Sequence, residues 1–193
     1  MSGLAFLPVS PERVEDPTGF CEKRGRFGNG KFAWCSCMRW RMPAGQFQAS
    51  TPAGRTATLV DLVGAGVPVG VLAYDGSEPI GWCSVAPRET YTALERSRVL
   101  PRIDDAPVWS VACFFVNGRF RRQGLSGLLL GAAVDYARSH GALGVEGYPV
   151  EPGPRSYTYM GSPATFAAAG FSDVTPAGQH RRVVRLALAR PGC

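Results

Sequence analysis

Histidine and lysine are nearly missing from this chain of 193 residues: the histidines are His140 and His180 and the lysines Lys23 and Lys31. So few histidines offer no Ser-His-Asp or Cys-His arrangement for covalent catalysis. Both fall where solvated histidines are expected, at a helix end and a hairpin turn. The formal charge of +6 comes from scattered arginines and no long basic block, which suits a polyanionic ligand better than nucleic acid. No run of eighteen apolar residues occurs, so no membrane span is expected. The segment Met1-Ser2-Gly3-Leu4 lacks the charged-then-apolar order of a secretory signal, which makes a soluble, cytoplasmic protein the expectation. Nucleotide fingerprints are absent too, with no Gly-x-Gly-x-x-Gly after a strand and no Gly-Lys-Ser/Thr; Gly30-Lys31-Phe32 is not one. Rossmann and P-loop readings are thereby disfavoured.

Cysteine is present, but in a pattern that argues against disulfides and metal. Of the six, Cys83 and Cys113 lie inside apolar runs and read as buried thiols. Cys21, Cys35 and Cys37 are too few for a closed zinc site and have no histidine near them in sequence, so no metal is expected. With Trp34, Met38 and Trp40 interleaved, that segment reads as core or as the apolar wall of an acceptor pocket. Arg24, Arg26, Arg39 and Arg41 read as a solvated face, with selection of an anionic acceptor as the alternative.

At 45% apolar residues the chain can bury one sizeable core, and a single domain over residues 1–193 is expected. Leu4 to Val9 reads as a strand leading into a helix around Pro11 to Arg24, and Thr56 to Val63 as a short helix. From Val67 the pattern becomes strands: Val67 to Tyr74, a turn at Asp75-Gly76, and a return over Ile80 to Val85. A short charged helix is expected over Tyr91 to Val99 and a buried strand over Val108 to Val116. Leu125, Leu128, Leu129, Ala132, Ala133, Tyr136 and Ala137 then repeat at helical spacing, ended by Gly141. Leu143 to Val150 is the next strand, and Ser162-Pro163 opens a short helix ended by Gly170. Asp173 to Pro176 and Arg182 to Ala189 are the last strands.

The turn Arg121-Arg122-Gln123-Gly124-Leu125-Ser126 carries the chemistry. A strand that feeds a helix whose first turn holds Gly124 and Gly127 presents unpaired amides at the positive end of a helix dipole, where phosphates bind. The alternative is an ordinary strand-to-helix turn. Arg121-x-x-Gly124-x-Ser126 resembles the acyl-CoA signature of the GNAT superfamily of N-acetyltransferases, with Ser126 where the family has Gly or Ala. The resemblance continues through the hairpin, the strand ending Phe114-Phe115-Val116, the long helix, and Phe166-Ala167-Ala168-Ala169-Gly170-Phe171. It covers residues 67 to 190, an acyl-CoA-binding core, and leaves residues 1 to 66 as the acceptor-side region.

That resemblance implies an α/β fold: a twisted mixed sheet flanked by helices on both faces, splayed between the fourth and fifth core strands. It implies acetyl-CoA as co-substrate, with the pantetheine arm along Phe114, Phe115 and Val116 and the pyrophosphate on Arg121, Arg122, Gln123, Gly124, Leu125, Ser126 and Gly127. The acetyl group would pass directly to a primary amine of a small molecule, a peptide N-terminus or a lysine; a homodimer is left open. The competing reading is a non-catalytic module that binds CoA or another anion.

Direct attack needs a proton acceptor and a proton donor. Glu146, in the apolar stretch Val145 to Tyr148 where the sheet should part, is the candidate base, with an ion-paired structural acid as the alternative. The family's tyrosine four residues before the Gly-Phe glycine is Phe166 here, which has no proton to give. Tyr159 is the candidate acid for the leaving thiolate, ahead of Tyr157; water is the alternative.

Overall fold

The run from Val67 to Val85 folds as its alternation and Asp75-Gly76 turn require. Strands β2 (Val71–Asp75) and β3 (Glu78–Pro87) form an antiparallel hairpin, and Gly76 at φ 59° supplies the left-handed turn residue. The surrounding architecture comes from a computed structural model that describes residues 3–15, 38–153 and 158–189. The β1 strand (Leu4–Pro8) pairs antiparallel with β2, and β4 (Trp109–Val116) with β3. Parallel to β4 runs β5 (Gly144–Gly147), followed across the sheet by β7 (Val184–Ala187) and β6 (Ser172–Asp173). Among the described residues, the order β1-β2-β3-β4-β5-β7-β6 makes one mixed sheet of seven strands.

Alternate residues of the hairpin feed two apolar layers, one on each face. Val71 and Ala73 join Leu125, Leu129, Leu130 and Ala133 of α4 (Leu125–Ser139). Leu72 and Tyr74 turn the other way, toward Leu59 and Val63 of α2 (Pro52–Gly64) and Met38. Leu129 and Leu130 are fully buried, each stabilising the fold by about 1.5–3 kcal/mol. Local signals set the helix ends. Thr51 Oγ1 accepts from the Gly54 amide at 3.1 Å and Pro52 opens α2. Ser162 caps α5 (Pro163–Ala168) through the Thr165 amide at 3.2 Å. Gly141, at φ 74°, closes α4 so that the Ala142 amide returns to the Ala137 carbonyl at 3.1 Å.

The sheet parts at a defined place. Ser84 and Val85 are consecutive on β3 but face Cys113 and Val111 on β4, so Ala112 is an extra residue in the ladder. Such a bulge bends and twists its strand. Pairing of β4 with β5 covers only Trp109 to Val111, against Val145 to Gly147. Beyond the bulge the two strands separate, and the splay expected between the fourth and fifth core strands is present.

Phe166 of α5 closes the floor of this gap. Its ring is fully buried, edge-on to Phe114 at 6.0 Å and to Phe171 at 5.0 Å between centroids. A Cβ on Gly147 would overlap the ring, and one on Gly161 would come within 2.8 Å of it.

Several elements differ from expectation. The helix expected over Tyr91 to Val99 is a single turn, α3 (Thr92–Glu95), entered through a 3₁₀ turn at Arg88–Thr90, and beyond it the Leu100 amide donates to Ser97 Oγ at 3.1 Å instead of to a helical carbonyl. The short α1 (Ala44–Ala49) has no sequence signal beyond Pro43. Ladder pairing of the strand expected over Leu143 to Val150 ends at Gly147, and the last strands are shorter than expected. Arg41, read as part of a solvated face, is 5% exposed. Of the helix expected from Pro11 to Arg24, the described residues end at Glu15 and include a 3₁₀ turn at Pro11–Arg13; the remainder lies outside them. So do Cys21, Cys35, Cys37, Arg24, Arg26 and Tyr157.

Replacing Gly147 with alanine should therefore force Phe166 from its seat. The expected cost is about 1–3 kcal/mol, the range for overpacked cores, read as a fall of several degrees in Tm. An unchanged Tm would show that the ring does not depend on the missing Cβ.

Candidate functional site

The candidate site lies where β4 ends, the sheet opens and α4 begins. A 3₁₀ turn at Gly118–Phe120 follows β4, with Asn117 Oδ1 accepting from the Arg119 amide at 3.3 Å. Arg121 folds back so that its Nε donates to the Val116 carbonyl at 3.3 Å, and Gln123 Nε2 donates to the Arg119 carbonyl at 2.8 Å. The turn is thus fastened to the strand it leaves. Arg122 and Gly124 both take left-handed conformations, φ 62° and 80°, and Gly124 is the N-cap of α4. Glycine adopts this region without strain; arginine does so at a cost, of a kind that clusters at ligand sites.

The Gly127 amide makes a bond to the Gly124 carbonyl at 2.9 Å. Amides ahead of it project from the helix end, at the positive pole of a 15-residue helix. A Cβ added at Gly124 or Gly127 would meet nothing within 4 Å. Glycine at Gly127 is therefore not explained by packing within the chain; its absent side chain leaves the helix surface hollow. That hollow continues into a cavity of about 420 Å³ between α4 and α5, lined by Gly127, Gly131, Asp135, Thr165, Ala168 and Ala169. Among the expected binding residues, Arg121, Arg122, Gln123 and Gly124 are exposed, while Leu125 turns its side chain into the core. Ser126 is half-buried. Phe114 is buried, and Phe115 and Val116 are half-buried on the stretch of β4 beyond its pairing with β5.

On the opposite face of the splay the chain packs Tyr91, Tyr148, Met160 and Ala112 into a third cluster, with Trp40, Ile103, Val150 and Tyr159 partly buried against it. Tyr159 sits on a 3₁₀ turn, Thr158–Met160, that packs on β4. The Val150 amide bonds the Gly161 carbonyl at 3.0 Å, which ties the segment beyond β5 to this turn.

Glu146 is 1% exposed, and both of its oxygens are engaged. Oε1 pairs with Arg185 at 2.7 Å; Oε2 pairs with Arg88 at 3.0 Å and accepts from the Tyr148 hydroxyl at 3.0 Å. Arg88, fully buried, also reaches the Leu100 carbonyl at 2.8 Å, the Tyr148 hydroxyl at 2.7 Å and Glu95 at 2.8 Å. Arg185 pairs in turn with Asp104 at 2.6 Å. Burial, and then the Glu146 charge, push the Tyr148 hydroxyl far above its ordinary value, so it stays protonated and donates. The hydrogen bond from Arg185 holds the Asp104 carboxyl below the usual range.

This is the geometry of the ion-paired alternative for Glu146. Sequence reasoning missed Arg88, Ser110 and Arg185 as its companions; Ser110 Oγ lies 2.7 Å from the Tyr148 hydroxyl. One signal was available, since Arg185 interrupts the apolar strand Val183 to Leu188. Arg88 follows Pro87 and looks like an ordinary loop residue. Among the described residues, no group of three or more His, Cys, Asp or Glu is placed to hold a metal ion, and no helix is long and apolar enough to cross a membrane.

The family model for GNAT acetyltransferases matches residues 34–148, more than half of the chain. Among curated protein sequences none matches significantly. Solved structures do share the fold. The polyamine N-acetyltransferase of Drosophila melanogaster, which forms N-acetylagmatine, superposes with TM-score 0.58 at 13% identity, covering 96% of this chain and 100% of that one. PaiA N-acetyltransferase from Thermoplasma acidophilum, in complex with coenzyme A, gives 0.54 at 10% identity over 97% of this chain and 100% of that one. Ribosomal-protein-S5-alanine acetyltransferase from Vibrio fischeri gives 0.56 at 14%, over 97% and 94%. At such identities the likeness is one of fold.

Removing the charge of Glu146 leaves two guanidinium groups without their shared counter-ion. Glu146→Gln should cost about 3–5 kcal/mol, a drop in Tm on the order of ten degrees for a chain of this size. A variant that melts like the parent yet loses turnover in a pH-dependent way would return this carboxylate to the role of base.

Proposed function

The chain belongs to the GNAT acetyltransferase family, and we propose that it transfers the acetyl group of acetyl-CoA to a primary amine by direct attack. The observation that carries this reading is the juxtaposition at the end of β4: a stretch of strand beyond its pairing with β5, beside a helix N-terminus entered through left-handed Gly124. The pyrophosphate would accept hydrogen bonds from amides between Arg122 and Ser126, with the charge of Arg121 and Arg122 beside it. The pantetheine arm would add as a short strand along Phe114 to Val116, where the bulge has released β4 from β5. Its thioester would then lie in the splay, between the α4 face and the aromatic cluster of Tyr91, Tyr148 and Tyr159.

In this reading the acceptor enters from the aromatic side. Its neutral amine attacks the thioester carbonyl, the C–N bond forms, and the carbonyl oxygen takes up the negative charge. Collapse of that intermediate breaks the C–S bond and releases the thiolate of coenzyme A. The nitrogen then sheds its surplus proton. We assign its release to water in the splay, because both Glu146 oxygens are already engaged by Arg88 and Arg185. Holding amine and thioester in one gap supplies most of the rate, since positioning alone can contribute about 7–11 kcal/mol.

Tyr159 is the proposed donor to the thiolate. Its support is position, half-buried on the turn that packs against β4 beside Gly161, whose own Cβ would sit 3.0 Å from the Phe114 ring. Phe166 cannot serve, for its ring has no hydroxyl and is sealed in the floor.

Gly124→Glu should abolish the micromolar acetyl-CoA affinity expected of the parent, by adding strain at a left-handed position and a negative charge beside the pyrophosphate. Equal affinity by calorimetry in a folded variant would remove this turn from the coenzyme site. Tyr159→Phe should lower kcat by roughly ten to a thousand fold with acetyl-CoA affinity held. A parental kcat would leave water as the donor. Thiol release from acetyl-CoA with a panel of amines tests the reaction itself; binding without turnover would favour a non-catalytic CoA-binding module.

A further inference from the structure

The aromatic side of the splay holds a positive charge that the fold does not answer. Arg41 is 5% exposed and its guanidinium lies 4.3 Å from the centroid of the Tyr91 ring. Its Nη1 donates to Thr90 Oγ1 at 3.2 Å and its Nη2 to the carbonyls of Pro68 at 3.3 Å and Val69 at 3.4 Å. None of these groups is charged, and among the described residues no carboxylate pairs with Arg41. The Nε of Arg41 has no acceptor among the described residues. Neither has the indole Nε1 of the preceding residue, Trp40, and both nitrogens are buried.

Trp40 and Arg41 bear on the same cluster, which contains Tyr91, Tyr148, Met160 and the bulge residue Ala112. A third donor lies beside it: half-buried Arg181 bonds the Met160 sulfur at 3.5 Å and, among the described residues, no carboxylate. Of the acidic side chains near the cluster, Glu95, Asp104 and Glu146 are each ion-paired, while Glu89 is exposed on the turn before Tyr91. Native proteins leave few buried donors unsatisfied, and each exception calls for a cause. Here two consecutive residues supply one each, at the place where the acceptor should enter. A purely cationic acceptor, such as a polyamine, would meet the guanidinium groups of Arg41 and Arg181, with which no carboxylate is paired among the described residues.

The geometry points to a zwitterionic acceptor, an amine that also bears a carboxylate. The carboxylate would accept from Arg41 Nε and the Trp40 indole N–H, with Arg181 adding charge, while the amino group faces the thioester. This rests on the acetyl-transfer reading above and adds the class of acceptor to it.

Matched pairs that differ by one carboxylate test it: arginine with agmatine, lysine with cadaverine, phenylalanine with phenethylamine, each assayed by thiol release from acetyl-CoA. In every pair that reacts, the carboxylate member should have the higher kcat/KM by at least about tenfold, the scale of a charge-assisted hydrogen bond. Trp40→Phe keeps the ring and deletes the N–H. It should narrow that ratio by roughly threefold or more, through KM rather than kcat, and it carries the test even if Arg41 variants fail to fold. Pairs that react equally, or a preference for the plain amine, would overturn the inference and leave acetyl transfer standing. A ratio unchanged by Trp40→Phe would remove the indole from it. No thiol release with any member, although acetyl-CoA binds, would overturn the acetyl-transfer reading and this one with it.

Discussion

Only three residues of β4 pair with β5, which is little backbone bonding to join β5, β7 and β6 to the rest of the sheet. The Glu146 carboxylate makes up the difference. It sits on β5 opposite Ser110, and its two guanidinium partners come from the end of β3 and from β7. Through Arg88 and Arg185 it also gathers the connection between β3 and β4, at Glu95, Leu100 and Asp104. Two charges removed from water are expensive unless each is fully bonded, and here nearly every polar atom of the group is used. The gap can therefore open beyond Val111 without the two halves of the sheet drifting apart. Openness at one end is permitted by electrostatic closure at the other.

What could be read from the sequence follows from how local each signal is. The turn at Arg121 to Ser126 is defined by neighbours in the chain, and glycine positions with the helical spacing after them locate it. The hairpin, the α4 helix and the α5 cap are likewise written in consecutive residues. The bulge at Ala112 is not, because it exists only as a mismatch between two strands; nothing in Val111-Ala112-Cys113 announces it. Arg88 and Glu146 are 58 positions apart, so no window of sequence joins them. Arg41 shows the limit most plainly. Arginines in a row look solvated, and the burial of that one depends on Tyr91 and on two backbone carbonyls far along the chain.

The two faces of the splay are built from opposite materials. On the α4 side, glycine and alanine leave the backbone bare, and recognition would rest on amides and on a hollow surface. The other side is filled with aromatic rings and guanidinium groups, and recognition would rest on side chains. Backbone recognition tolerates sequence change so long as the conformation holds, whereas side-chain recognition changes with each replacement. One fold can thus keep a common donor molecule while its acceptor differs from one chain to the next. Two of the structures that superpose on this one are named for a polyamine and for a ribosomal protein's alanine.

The ring of Phe166 ties together two glycines that are far apart in the sequence. A Cβ on Gly147 would come within 2.2 Å of the ring, and one on Gly161 within 2.8 Å of its other side. Larger residues at 147 or 161 are barred for as long as the ring stays. The three positions can change only together: a bulkier residue at either glycine calls for a smaller one at 166, and each change alone overfills or empties the same space.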